Sequence, residues 1–282
     1  MRNPDRAAWR IYARRHPVAG PAAPEYLLPP PEGRALDRRG GFVELDSDLY
    51  KPYHPAYHAL LQGDDKLMAA YLGPDSWAWL AQAHDHVRSA RLNAIKHETA
   101  PDSRGAAVHL RAYRHAGFRI EAMFLAVPAA MSNQGILSRY AEQVADRGHG
   151  RLTVQANADR AYAGILDLAD VIDREHLAGY TGVFRRGEAI PRYQTSERLR
   201  ASLPLREAID RERERPWTPE ETSDFLRTRR KLRTQLSVQW TTRLDEILEQ
   251  ATPHMNRQAE PRPHWDITRK ALEPEAEPEA EI

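Results

Sequence analysis

The chain has 282 residues, 41% hydrophobic and 29% charged, with a formal net charge of +1, so it can bury a large core and is no bulk polycation. It has no cysteine, which excludes disulfides, Cys-based zinc sites, iron–sulfur clusters and thiol nucleophiles. The longest strongly apolar run, Ala122 to Met131, is broken by Pro128 and is about half the roughly 20 residues a spanning helix needs. Together these features predict a cytoplasmic protein with no membrane contact and no cofactor.

In chain order, Asn3, Pro4 and Asp5 signal a helix start,. Arg6, Arg10 and Arg14 recur at a spacing of four, making residues 1–16 a basic N-terminal helical arm. Six prolines mark 17–41 as an extended linker,. Residues 42–252 read as a globular, mainly helical domain, and 253–282 as a polar, acidic disordered tail ending in Glu273, Glu275, Glu277, Glu279 and Glu281,.

Within the domain, Gly41–Leu45 predicts a short strand, followed by helical segments near 55–61 and 65–72. Pro74, Asp75 and Ser76 open a helix reaching about His97,. Between Ala107 and Val127 the residues Val108, Leu110 and Ala112, then Ile120, Ala122 and Phe124, alternate as a hairpin would,. An alanine-rich helix broken at Gly117 fits the same residues. Ile136–Asp146 reads as a helix, Leu152–Val154 as a strand, and Asn157 as the cap of a helix carrying Tyr162, Ile165, Leu168 and Ile172. A loop bearing Arg185, Arg186 and Arg192 leads to a helix near Leu205–Arg215. The expected fold is α+β and predominantly helical, with a small antiparallel β element (the hairpin near 107–127) packed on several helices and a long C-terminal helix.

That last helix carries the strongest local signals. Thr218, Pro219 and Glu221 form a capping box, and Phe225, Leu232, Leu236, Trp240, Leu244 and Ile247 line one side,. Phe225–Arg243 also concentrates positive charge without an acidic residue. Arg227, Arg230 and Lys231 fall away from the apolar stripe, whereas Arg229 and Arg233 fall within or beside it.

This placement predicts a non-catalytic, nucleic-acid-associated protein. Arg227, Arg230, Lys231 and Arg233, with Arg6, Arg10 and Arg14 of the arm, would meet the phosphates of DNA or RNA. A structural subunit is the alternative, with Arg229, Arg233 and Trp240 in an interface with a protein partner or a second copy. A third possibility is an enzyme using His84, Glu121 or His176. No metal ligand set emerges. His54 and His58 straddle a helix start, His84 reads as a core histidine, and Asp167, Asp170 and Asp173 as a solvent-facing stripe,. Nucleophile elbows, phosphate loops and dinucleotide fingerprints are absent.

Overall fold

The structure, a computed structural model, describes residues 7–13, 41–63, 65–148, 150, 152–196 and 201–256. Its frame is a six-stranded sheet of order β2-β3-β1-β4-β5-β6. The strands are β1 Ala7–Ala13, β2 Val43–Leu45, β3 Ala94–Glu98, β4 Arg119–Leu125, β5 Tyr180–Phe184 and β6 Tyr193–Ser196. The first five run parallel, and β6 closes one edge antiparallel to β5, with Tyr180 opposite Ser196. The sheet is therefore parallel, not an antiparallel hairpin.

One sequence expectation fails at the centre of this sheet. Ala7–Ala13 is the central strand, with Ile11 opposite both Lys96 on β3 and Ala122 on β4, where a helical arm was expected. Its arginine spacing of four mimics a helical face, yet Trp9, Ile11 and Tyr12 suit a strand equally well. Of the arm's cations, Arg10 lies in β1, while Arg6 and Arg14 fall outside the described residues. The segments 17–40 and 257–282 also fall outside them.

The first half of the expected hairpin is a helix. Asp102 caps it by accepting from the Arg104 backbone N–H at 3.1 Å, and Ala106, Ala107, Leu110 and Tyr113 are buried along one side. That spacing follows the 3.6-residue period, which outweighs the partial alternation. The β4 alternation is real, but both faces are covered. Ile120, Ala122 and Phe124 belong to the main core, and Met123 packs with Ile95 and Phe184 on the opposite face.

The helices are α1 Ser47–Tyr50, α2 Tyr57–Gly63, α3 Asp65–Ala90, α4 Ser103–His115, α5 Ala129–Arg147, α6 Gln155–Glu175, α7 Leu205–Glu214, α8 Pro219–Gln235 and α9 Thr241–Ala251. Pro74 lies inside α3 instead of opening it. The main core joins α3, α4, α6 and α7 to one face of the sheet. A second core joins α5, α8 and α9 through Leu137, Trp217, Phe225, Leu232, Leu244 and Ile247.

The expected long C-terminal helix is two helices. The capping box of Thr218 and Glu221 is present, but α8 stops at Leu236 and a 3-10 turn over Val238–Trp240 leads into α9. The apolar stripe spans both helices because they fold back on one core. Leu152–Val154 forms no strand, and Val154 is the N-cap of α6. The aspartate stripe of α6 is structural: Arg206 reaches Asp170 at 2.7 Å and Asp167 at 2.8 Å, and Asp173 accepts from the Leu205 backbone N–H at 2.6 Å. Those carboxylates seat α7.

Candidate functional site at the carboxyl edge of the sheet

Parallel strands place all their carboxyl ends on one edge, and in open α/β sheets ligands enter the crevice there, where successive connections run in opposite directions. In this chain the connection leaving β1 runs towards β2 and the one leaving β4 runs towards β5. The switch lies between β1 and β4.

Four loops supply the edge. After β2 comes Lys51, a buried lysine at the start of the 3-10 turn that follows α1. β3 ends in Glu98, whose Oε2 lies 2.7 Å from Lys96 Nζ, with side chains only 18% and 5% exposed. The next turn holds Ala100 at a left-handed φ of 49°, a conformation non-glycine residues rarely adopt and one associated with functional loops. A close approach fixes it: a Cβ on Gly164 of α6 would sit 2.1 Å from the Ala100 carbonyl oxygen. Only glycine lets α6 press against the loop that follows Glu98.

After β4, helix α5 begins behind Pro128, which offers its free N–H groups no side-chain acceptor,. Its opening turns carry buried Ser132, Asn133 and Gln134. Gln134 donates to the Phe225 carbonyl at 2.9 Å and Asn133 to Gln250 at 2.9 Å, tying α5 to α8 and α9. The Ser132 hydroxyl is buried and meets no hydrogen-bond partner among the described residues. Arg139, also buried, donates to Thr153 Oγ1 at 3.1 Å.

Beyond β5 come two arginines with different surroundings. Arg185, 4% exposed, donates to Glu212 at 2.5 Å and to Glu221 at 2.6 Å, so it anchors α7 and α8. Burial pushes the Glu221 carboxyl up, but hydrogen bonds from Arg215 and the Thr218 N–H outweigh it and hold the group below its usual range,. Arg186 has no carboxylate in ion-pairing reach among the described residues. Its guanidinium lies on α5, with Nη1 3.2 Å from where a Cβ on Gly135 would stand. Desolvation pulls its pKa down although the residue keeps an exposed surface.

The segments at this edge therefore carry Lys51, Arg186 and the ion pair of Lys96 with Glu98. The basic stretch expected to meet phosphate is arranged otherwise. Arg227 pairs with Asp224, Arg229 with Asp245 at 2.5 Å, Lys231 lies 3.7 Å from Glu142 and Arg233 4.0 Å from Asp245. Arg230 is exposed on α8, and Trp240 stands 5.4 Å from the Tyr140 ring.

The residues of the third possibility occupy three unlike surroundings. His84 is buried, hydrogen-bonded to Tyr113 at 3.0 Å. Glu121 pairs with Arg119 at 3.2 Å near the start of β4, and His176 is exposed at the end of α6. Sequence reasoning passed over Lys51, Lys96 and Glu98, and saw Arg186 only as part of a loop. The available signal was two short β-rich runs, Ala94–Glu98 and Tyr180–Phe184, each ending at charged residues.

Comparison with known proteins bears on the family and the fold. The sequence profile described as Zeta toxin matches residues 33–198, more than half of the chain. Among solved structures, one from the PezAT chromosomal toxin–antitoxin system of Streptococcus pneumoniae superposes with a TM-score of 0.64 over 87% of this chain and 88% of that one, at 14% identity. No curated protein sequence matches the chain. At that identity the structural likeness speaks for the fold, a P-loop kinase type with a parallel sheet. The family match overturns the expectation of a non-catalytic nucleic-acid-associated protein. Among the described residues, no helix is long and apolar enough to cross a membrane.

One part of that fold does not fit this sequence. Its phosphate loop, G-x-x-x-x-G-K-[ST], follows a strand and cradles the nucleotide with backbone N–H groups and a lysine. Between β1 and β2, residues 14–40 hold Gly20, Gly33 and Gly40 but no lysine, and no Gly-Lys pair occurs anywhere in the chain.

Proposed function

Because the chain belongs to the Zeta toxin family, we propose that it is a toxin that engages a phosphate-bearing small molecule at the carboxyl edge of its sheet and is restrained by a protein partner. One observation carries the small-molecule part: Lys51 after β2, the Lys96–Glu98 pair at the end of β3 and Arg186 after β5 belong to successive segments on the side of the sheet where this architecture takes ligands,. Lys51 and Arg186 supply positive charge, and Glu98 supplies the group that can take or give a proton beside it. The partner is suggested by the similar structure, which comes from a toxin–antitoxin system.

Induced expression in a bacterial host tests the reading. The wild-type chain should arrest growth, and Glu98→Gln, which keeps shape and removes charge, should relieve the arrest at equal protein level. Growth of wild-type expressors at the rate of an empty-vector control would sink the proposal.

A further inference from the structure

We propose that Arg186, laid across Gly135 of α5, is the residue that holds the anionic group of the ligand, and that a phosphate is the group it fits. This rests on the carboxyl edge being the ligand site.

Four observations converge on Arg186. It carries a planar fork of five donors, the geometry that meets two oxygens of a phosphate at once. Its neighbour Arg185 is consumed by Glu212 and Glu221, whereas Arg186 has no acid in reach among the described residues. Gly135 keeps the helix surface flat under the guanidinium, since an added Cβ would stand 3.2 Å from Nη1 and 3.5 Å from Nη2. One turn earlier on the same side of α5 lies Ser132, whose buried hydroxyl lacks a partner among the described residues,.

The surroundings favour an anion further. The amino end of α5, which bears the positive end of a 19-residue helix dipole, is without a side-chain cap,. The loop after β1, which in this fold supplies the phosphate-holding lysine, has none here,. Arg186 keeps solvent access and has no acid in reach among the described residues, so an anionic ligand could pair with it.

Calorimetric titration of the full chain with inorganic pyrophosphate tests this. Wild type should bind, and Arg186→Ala should weaken binding about tenfold or more, the loss of one charge-assisted contact. Arg186→Lys, which keeps the charge but not the fork, should fall between them. Gly135→Ala gives an independent readout. Alanine favours a helix interior over glycine, so the melting temperature should hold or rise while pyrophosphate binding weakens. Arg227→Ala, an exposed cation on α8, should leave binding unchanged. If wild type binds and Arg186→Ala binds equally well, the inference falls while the edge site stands. If wild type does not bind pyrophosphate, the edge-site reading fails and the inference with it.

Discussion

Arg229 on α8 donates to Asp245 on α9 at 2.5 Å, so a residue that the sequence places on or beside the apolar side of its helix ties two helices across the break at Leu236. The Arg229 side chain is 14% exposed, and losing its partner would leave a largely buried cation. Asp245→Ala should therefore cost about 1–2 kcal/mol of stability in urea unfolding. Arg227→Ala, which removes a pair with both partners well exposed, should stay within about 0.5 kcal/mol.

Arg185 holds α7 and α8 together from the end of β5. Its replacement by methionine would strip a cation from Glu212 and Glu221, whose side chains are 12% and 22% exposed. The expected loss is about 3 kcal/mol, because one half of a buried pair is removed. Unfolding by guanidinium chloride gives the value, and a change below about 1 kcal/mol would contradict the anchoring role.

Acid should weaken the same junction. The folded Glu221 carboxyl lies below its ordinary 4.5, so its stabilising contribution is complete above that pH and is lost as pH falls through the folded value. Arg215→Ala removes the hydrogen bond chiefly responsible for the lowering and should flatten the acid limb of a stability–pH curve below about pH 4.5.

A second pH effect comes from the stacked rings of His84 and His109, whose centroids lie 4.3 Å apart. Burial, with Lys96 and Arg88 nearby, lowers His84 to about 2 and His109 to about 4. Below pH 6.5 the unfolded imidazoles take protons that the folded ones refuse, so stability falls as pH drops. The slope approaches about 1.4 kcal/mol per pH unit for each histidine. His84→Phe with His109→Phe should remove that slope between pH 6 and 4. An unchanged curve would mean the pair is not held neutral.

Gly164→Ala should be disruptive at a position that looks permissive for a helix. The new methyl would meet the Ala100 carbonyl at 2.1 Å, forcing α6 from the loop that follows Glu98. A loss of about 1–3 kcal/mol is expected from overpacking, read as a lowered melting temperature with the helical circular dichroism retained.

The signals that survived into the structure were local ones: the capping box at Thr218 and Glu221, and the apolar residues Phe225, Leu232, Leu244 and Ile247. What failed depended on long-range pairing. Ala7–Ala13 is a strand because β3 and β4 flank it from far along the chain, and a periodicity argument cannot see that. Parallel strands buried on both faces also lack clean alternation, which hid β3 and β5 and with them the site at their ends. The two adjacent arginines were legible as residues, but only packing shows that Arg185 is occupied by acids and that Arg186 meets none among the described residues.

The position of β1 bears on how the chain folds. The strand made from residues 7–13 lies between β3, which begins at Ala94, and β4, which ends at Leu125. During synthesis β1 emerges first, and it can pair with β3 only after about 80 residues have followed and with β4 only after about 105,. Such separation slows folding, since loop closure precedes the contacts that reward it. Until then β1 has neither neighbour, and the newly made chain leaves both of its edges unpaired.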